Sequence, residues 1–288
     1  MNDLRTLWQG TFEMWQNGEF GEIYAQYNHR KLYFLNGTQL FVSHRPIIGN
    51  TTLYSYCGPA TGEWIIQLKS FATGLKVATI WIYSINPLED LKDFSKEEQL
   101  TLVIELADEE QIIWKKVGDK TRNMIRKGSK MGVSVELAET EDQFSDWWRI
   151  YSDITQTKGF GRQNHFLVKE LFLRKNLSKL FVSIKEDKII GGSFFLVNKY
   201  PIYWLGAFDR AYGNVAPGHI NIWEAMLHFK KNAYLLMDLG GIASDKHQDG
   251  ITTFKKSLTR EVQKGYIYVV PINHLKRRIL EFLSKARR

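Results

Sequence analysis

Three stretches in the second half of the chain carry groups suited to transfer chemistry that needs no covalent enzyme intermediate. Val215-Ala216-Pro217-Gly218-His219-Ile220 sets a tight turn directly before a predicted helix. Free backbone N–H groups and the positive end of the helix dipole could there receive a pyrophosphate or an oxyanion. Asp238-Leu239-Gly240-Gly241-Ile242 ends a predicted strand with paired glycines, which suit either a close backbone approach to a ligand or an ordinary tight turn. Gly250-Ile251-Thr252-Thr253-Phe254-Lys255-Lys256 puts an aromatic ring beside two cations in a loop or short helix. Composition alone reads those lysines as solvated.

Other chemistries are poorly supplied. There is no His-Glu-x-x-His, the seven histidines are scattered, and Cys57 is a lone cysteine, so neither a metal site nor an intrachain disulfide is implied. Gly118-Asp119-Lys120-Thr121 lacks the Gly-Lys-Thr core of a phosphate loop, and Gly159-Phe160-Gly161 is followed by Asn164 where a dinucleotide fingerprint needs glycine. Gly191-Gly192-Ser193 falls within a predicted strand and lacks the Gly-x-Ser-x-Gly elbow of a serine hydrolase.

The elements that must position these residues follow from periodicity and punctuation. Runs at Phe20–Tyr27, Lys31–Leu35, Gln39–His44 and Thr51–Cys57, separated by Asn36-Gly37 and Ile48-Gly49-Asn50, predict an antiparallel meander. Glu63–Leu75 has helical spacing, and the strand Val77–Ile85 stops at Asn86-Pro87. Leu102–Leu106 predicts a strand that leads into one long helical stretch from about Asp108. Helices at Asp142–Lys158 and His165–Lys175 follow, then strands at Leu180–Lys185, Ile189–Val197 and Ile202–Ala207, a helix at His219–Asn232, and strands at Tyr234–Leu239 and Tyr266–Val270. Tyr56-Cys57-Gly58-Pro59 with Trp64 is echoed by Tyr212, Ala216-Pro217-Gly218 and Trp223. With the similar element order, this suggests two copies of one α/β unit.

The 288 residues suffice for one large domain or two small ones, and 44% hydrophobic with 24% charged residues is the balance of a globular protein. Apolar runs such as Val77–Tyr83 fall far short of the roughly 18 residues that span a bilayer. Met1-Asn2-Asp3-Leu4-Arg5 does not read as a secretory signal, so a cytoplasmic location is expected. Thirty-nine basic against thirty-one acidic residues leave a net +8, which favours phosphates or anionic surfaces as partners. Seven Lys or Arg and one acid lie between Lys115 and Lys130, and Lys276, Arg277, Arg278, Lys285, Arg287 and Arg288 face Glu281 alone in the tail. Leu275, Ile279, Phe282 and Leu283 form one face of a terminal helix, suited to packing on the body or to peripheral contact with an anionic membrane.

Leu102–Leu106, then Trp114-Lys115-Lys116, Lys120 through Lys127 and Lys130-Met131-Gly132-Val133, resemble the segment entering the second domain of the Fem (FemABX) peptidoglycan aminoacyltransferases. Asp238–Ile242, Gly250-Ile251 and Phe254-Lys255 resemble that family's C-terminal signature. The likeness covers residues 100–270 well. The first hundred residues join it weakly, through Tyr56-Cys57-Gly58-Pro59 and Asn86-Pro87. It implies an α/β fold of two tandem GNAT-like domains with mixed, mostly antiparallel sheets. These are expected at 1–110 and at 111–288, the latter carrying the transferase site and a basic C-terminal helix. No long heptad-patterned hairpin lies between Leu167 and Phe181, so compact members lacking the helical arm are the better comparison.

The resemblance also implies the chemistry, in which an amine on a cell-envelope precursor attacks the activated carbonyl of aminoacyl-tRNA and no tightly bound cofactor takes part. Such a site must position both substrates, take a proton from the amine and stabilise an oxyanion. Lys255 would face the donor's reacting end or phosphate, Phe254 would shape the site, and Asp238 is a candidate proton acceptor. Tyr151, Lys158, Arg162 and Gln163 occupy a place where the family has acceptor-facing residues, with Gly240 and Gly241 beside them. Pro217, Gly218 and His219 would meet the donor, and Arg122 and Arg126 could track tRNA or an anionic lipid-linked precursor. The Ala216-Pro217-Gly218 turn equally resembles GNAT N-acyltransferases that use acyl-CoA, with an amino sugar as acceptor. A non-catalytic basic module binding RNA or anionic lipid is the third reading.

Overall fold

A computed structural model describes residues 4–58, 61–88, 93–158, 161–242 and 249–285. Pro59, Gly159, Phe160, Arg287 and Arg288, which figured in the sequence reading, lie outside the described residues. The elements in chain order begin with α1 (Leu4–Gln9), α2 (Gly18–Tyr27), β1 (Arg30–Leu35), β2 (Thr38–Arg45), β3 (Gly49–Tyr56), α3 (Gly62–Gly74), β4 (Thr79–Ser84) and β5 (Ser95–Glu105). Then come α4 (Glu110–Lys116), α5 (Asp119–Lys130), β6 (Ser134–Leu137), α6 (Glu141–Lys158), α7 (His165–Leu173), β7 (Ser178–Lys185), β8 (Lys188–Val197) and β9 (Pro201–Phe208). A 3-10 helix, Arg210–Val215, precedes α8 (Pro217–Lys231), β10 (Leu236–Ile242), α9 (Gly250–Leu258), β11 (Val262–Pro271) and α10 (His274–Lys285).

Two compact units result, and neither is a continuous segment. One comprises residues 15–99 and 264–288, the other residues 1–14 and 100–263. A single cut near residue 110 does not describe this division. The reason is strand pairing: β11 runs antiparallel to β4, from Tyr266↔Ser84 to Pro271↔Thr79, and so draws the chain's last residues into the unit built by its early strands.

In the unit of residues 15–99 and 264–288 the strand order is β1-β2-β3-β4-β11. Asn36 and Gly37 both take positive φ, 48° and 77°, as the two-residue hairpin joining β1 to β2 requires. β3 and β4 pair in parallel across the crossover helix α3, which Thr61 caps by accepting the Trp64 N–H at 3.2 Å. The core gathers Leu40, Leu53, Leu68, Ile80, Ile82 and Tyr268. Phe20–Tyr27, expected as a strand, is instead helical within α2. Its apolar residues fit either period, and the deciding signal is the cap: Asn17 accepts the Phe20 N–H at 3.0 Å, with Glu19 in the first turn.

In the unit of residues 1–14 and 100–263 the order is β5-β10-β9-β8-β7-β6. Helices cover both faces of this sheet, because successive side chains on β8 point to opposite sides. Phe194 stacks on Trp147 of α6 at 5.8 Å between centroids, and Phe195 meets Phe229 of α8 edge-on at 5.1 Å. The stretch expected as one long helix is broken between α4 and α5 at Val117-Gly118. Arg122 makes the break stable by donating to the Trp114, Lys115 and Val117 carbonyls at the end of α4. The four-residue β6 has too short a pattern to stand out in sequence.

Candidate active site

A cleft of about 940 Å³ opens in this unit, lined from the end of α6, β9, the start of α8, the end of β10 and α9. β9 and β10 are its two parallel neighbours, registered at Asp238↔Ile202. The lining residues Tyr203–Asp209 and Gly241-Ile242 lie on the C-terminal side of that register, where parallel strands in α/β folds present ligands to loops and helix N-termini.

Lys255 enters the cleft from α9. Asp249 fixes the start of that helix, its carboxylate accepting the Thr252 N–H at 2.7 Å and the Thr252 hydroxyl at 2.9 Å. One turn on, the Lys255 side chain is only 8% exposed, and its Nζ donates to the Gly241 carbonyl at 2.8 Å. The ammonium also stands 5.8 Å from the centre of the Tyr203 ring. Burial pushes its pKa down to about 8, although the Asp238 and Asp249 carboxylates pull the other way. The group is therefore a cation near neutrality that sits close to its titration point, unlike the solvated lysine that composition suggested. Its neighbour Phe254 packs edge-on against the His219 ring, centroids 5.0 Å apart.

The start of α8 forms the facing wall. Ala216 holds a left-handed conformation, φ 52° and ψ 47°, which costs a non-glycine residue on the order of 1 kcal/mol and puts Pro217 at the first helical position. The His219 and Ile220 N–H groups turn back to the Ala216 carbonyl. Gly218 N–H has no partner among the described residues and lines the cleft. Behind the turn α5 packs so closely that a Cβ on Gly128 would come within 2.9 Å of the Val215 carbonyl oxygen. The His219 ring has no hydrogen-bond partner among the described residues, and burial lowers its pKa, so it is a neutral imidazole at pH 7 with a lone pair available to a ligand.

Asp238 occupies a different place from the one its candidacy required. It is 4% exposed and absent from the cleft lining. Its Oδ1 accepts the Thr101 hydroxyl at 2.7 Å and the Gly240 N–H at 2.6 Å, and its Oδ2 accepts the Trp8 indole at 2.9 Å. Burial raises its pKa while these three donors lower it. The carboxylate thus pins the irregularity in β10 where Gly240 takes φ +76° and the register with β5 shifts. Gly241 is delivered to the cleft by that irregularity, whereas Gly240 stands beside it.

Of the other sequence candidates, Tyr151, Lys158, Pro217, Gly218, His219, Phe254 and Lys255 line the cleft, while Arg162 and Gln163 do not. Gln163 acts through its backbone, donating to the Tyr151 hydroxyl at 3.3 Å. Arg122 is engaged with the end of α4 and with Asp119, and Arg126 lies 5.3 Å over the Trp114 ring. Both are outside the lining, to which α5 contributes Met124. Sequence reading missed Tyr203, whose ring backs Lys255 and whose hydroxyl occupies the space a side chain on Gly206 would need. Gly206 within a predicted strand was the signal available. Among the described residues, no group of three or more His, Cys, Asp or Glu side chains could hold a metal ion.

Comparison with known proteins bears on this arrangement. A family profile described as an acetyltransferase (GNAT) domain matches residues 115–256. A Weissella viridescens protein named UDP-N-acetylmuramoylpentapeptide-lysine N(6)-alanyltransferase is 21% identical over 153 residues, 51% of this chain and 45% of that protein, so the match spans less than half of the relative's length. Among solved structures, FemX superposes with a TM-score of 0.71 at 12% identity, covering 98% of this chain and 99% of that one. A tandem GNAT protein from the clavulanic acid biosynthesis pathway gives 0.53 at 11% identity, covering 94% and 96%. The fold is therefore the tandem GNAT-like one that the resemblance implied: residues 115–256 match the acetyltransferase (GNAT) profile, and the chain is similar in sequence to the Weissella alanyltransferase and in fold to FemX.

Proposed function

We propose that this protein is a Fem-type aminoacyltransferase, joining the aminoacyl group of a charged tRNA to an amine on a peptidoglycan or other cell-envelope precursor in the cytoplasm. The observation that carries the reading is the convergence on one cleft of a buried cation, a backbone N–H without a partner among the described residues and an imidazole whose pKa burial lowers. The alanyltransferase relative, whose name specifies a lysine N6 acceptor, supports an amine of that kind.

In this mechanism the amine nitrogen attacks the ester carbonyl. The new C–N bond forms, and the tetrahedral oxyanion is met by the Lys255 ammonium and the Gly218 N–H. His219 takes the proton that the nitrogen must lose and returns it to the ribose oxygen as the C–O bond breaks. Phe254 orients the imidazole and excludes water, and Tyr151 and Lys158 contact the acceptor. Asp238 serves as a positioning residue that sets the Gly241 carbonyl under Lys255. Stabilising an oxyanion in such a site is worth on the order of a hundredfold or more in rate.

A second reading keeps the fold and takes acyl-CoA as donor, favoured by the start of α8, where Pro217 and the Gly218 N–H suit a pyrophosphate. Purified protein would be assayed with charged tRNA and with acyl-CoA, each beside a lysine-type or amino-sugar amine, together with Lys255→Ala. Transfer from tRNA that disappears in the variant is the expected result. Transfer from acyl-CoA alone would replace the reading with the second one, and RNA binding without transfer would make the protein a binding module.

A further inference from the structure

Helix α10 is amphipathic in an unusual sense: its apolar stripe faces solvent. None of its described residues is buried. Leu275 is 72% exposed, Ile279 47%, Phe282 73% and Leu283 36%. At about 100° per residue these four fall within roughly one 100° arc. The side turned toward the body is a different one, where Lys276 and Leu280 are half-buried and Lys276 Nζ donates to the Lys76 carbonyl at 2.9 Å. The stripe is therefore left over after the helix has packed.

A further exposed apolar side chain lies on a turn that the start of α10 approaches. Lys276 Nζ lies 4.0 Å from the position a Cβ on Gly49 would take, which places the start of α10 beside the turn between β2 and β3. At that turn Ile47 is 99% exposed. The surroundings are cationic: Arg45, Lys76 and Arg278 are exposed, residues 30–62 contain no Asp or Glu, and the single acid of residues 264–285, Glu281, is held by Arg277 at 2.8 Å.

We propose that α10 and the Ile47 turn dock this protein on an anionic lipid bilayer, with Leu275, Ile279, Phe282 and Leu283 in the headgroup–acyl boundary and the basic residues against lipid phosphates. Apolar stripe and basic border are the two components of interfacial helix binding. A second copy of the chain is the poorer occupant. Five side chains offer on the order of a few hundred Å², below the roughly 800 Å² per partner of a stable dimer, and two like-charged borders would oppose each other. This inference is independent of the transfer reaction, since none of these residues lines the cleft.

The test is co-sedimentation of the full chain with phosphatidylglycerol–phosphatidylcholine vesicles and with pure phosphatidylcholine vesicles, at low and high salt. Wild type should partition to the anionic vesicles and weaken with salt. Ile279→Ser with Phe282→Ser should lower partitioning by about tenfold or more, and Arg278→Glu by a smaller, salt-sensitive factor. Phe282→Ser alone, at a site 73% exposed, guards against loss of folding, which thermal melts would check. No partitioning of folded wild type, equal partitioning to neutral vesicles, or partitioning untouched by the apolar substitutions would overturn the proposal. So would concentration-dependent self-association that the same substitutions abolish, since it would assign the face to a second copy.

Discussion

Replacing Lys255 by methionine should make the protein more stable and inert at once. Burial moves the lysine from 10.5 to about 8, which corresponds to about 3 kcal/mol held against the charged form. Methionine retains most of the aliphatic stem and removes the charge, but it forfeits the 2.8 Å bond to the Gly241 carbonyl, worth about 1 kcal/mol net. The balance favours the variant by about 2 kcal/mol at pH 7, or roughly 4–8 °C in melting temperature. Its pH dependence has a definite sign. Between about 8 and 10.5 the unfolded lysine keeps a proton that the folded one has released, so wild-type stability climbs with pH across that window. Below pH 8 the gap between the two proteins is constant, and above it the gap closes. Thermal melts of both proteins from pH 7 to 10, run beside transfer assays, measure this directly. A variant less stable than wild type at pH 7, or a gap that fails to narrow toward pH 10, would refute the claim that the cleft holds a cation against its preference for water.

Three further outcomes are expected. His219→Gln should cut kcat by about 10²- to 10⁴-fold; because burial lowers the imidazole, wild-type kcat/KM should fall as pH drops through a value below 6.5, and this acid limb should vanish in the variant while the decline near pH 8 from Lys255 remains. Asp238→Asn turns an amide N–H toward one of three buried donors and should cost about 2–4 kcal/mol in thermal or denaturant unfolding; in any remaining activity the acid limb from His219 should stay in place, while the alkaline limb should move to lower pH, because the Asp238 charge helps to hold the Lys255 proton. Gly128→Ala should destabilise by about 1–3 kcal/mol and raise the donor KM, since its Cβ presses on the Val215 carbonyl beside the start of α8.

Local signals in the sequence were read correctly wherever one period or one turn settled the matter. Asn36-Gly37 fixed a hairpin, and the spacing over Glu63–Leu75 fixed α3, because the physics of both is contained in a few consecutive residues. Phe20–Tyr27 was misread because short apolar runs satisfy two periods and Asn17, the arbiter, lies outside the run. The site was legible to the extent that residues near in sequence make it: Pro217, Gly218, His219, Phe254 and Lys255 all line the cleft. Roles that depend on distant partners were not legible. Asp238 looks like a free strand-end carboxylate until Trp8, 230 residues away, and Thr101, 137 away, are seen to donate to it. Arg122 looks like a surface cation until the carbonyls at the end of α4 are seen to claim it. Lys255 gave no sign of its burial, which arises from β9 and β10 meeting α9.

The pairing of β11 with β4 has a consequence for synthesis on the ribosome. Residues 15–99 emerge early yet wait for residues 264–288 before their sheet gains its fifth strand, and meanwhile β4 presents an unpaired edge. The intervening unit can finish first, because by then all of its own strands have been made. Assembly should thus run from the middle of the chain outward, and a nascent chain stalled just after residue 263 would expose an edge prone to pairing with other chains.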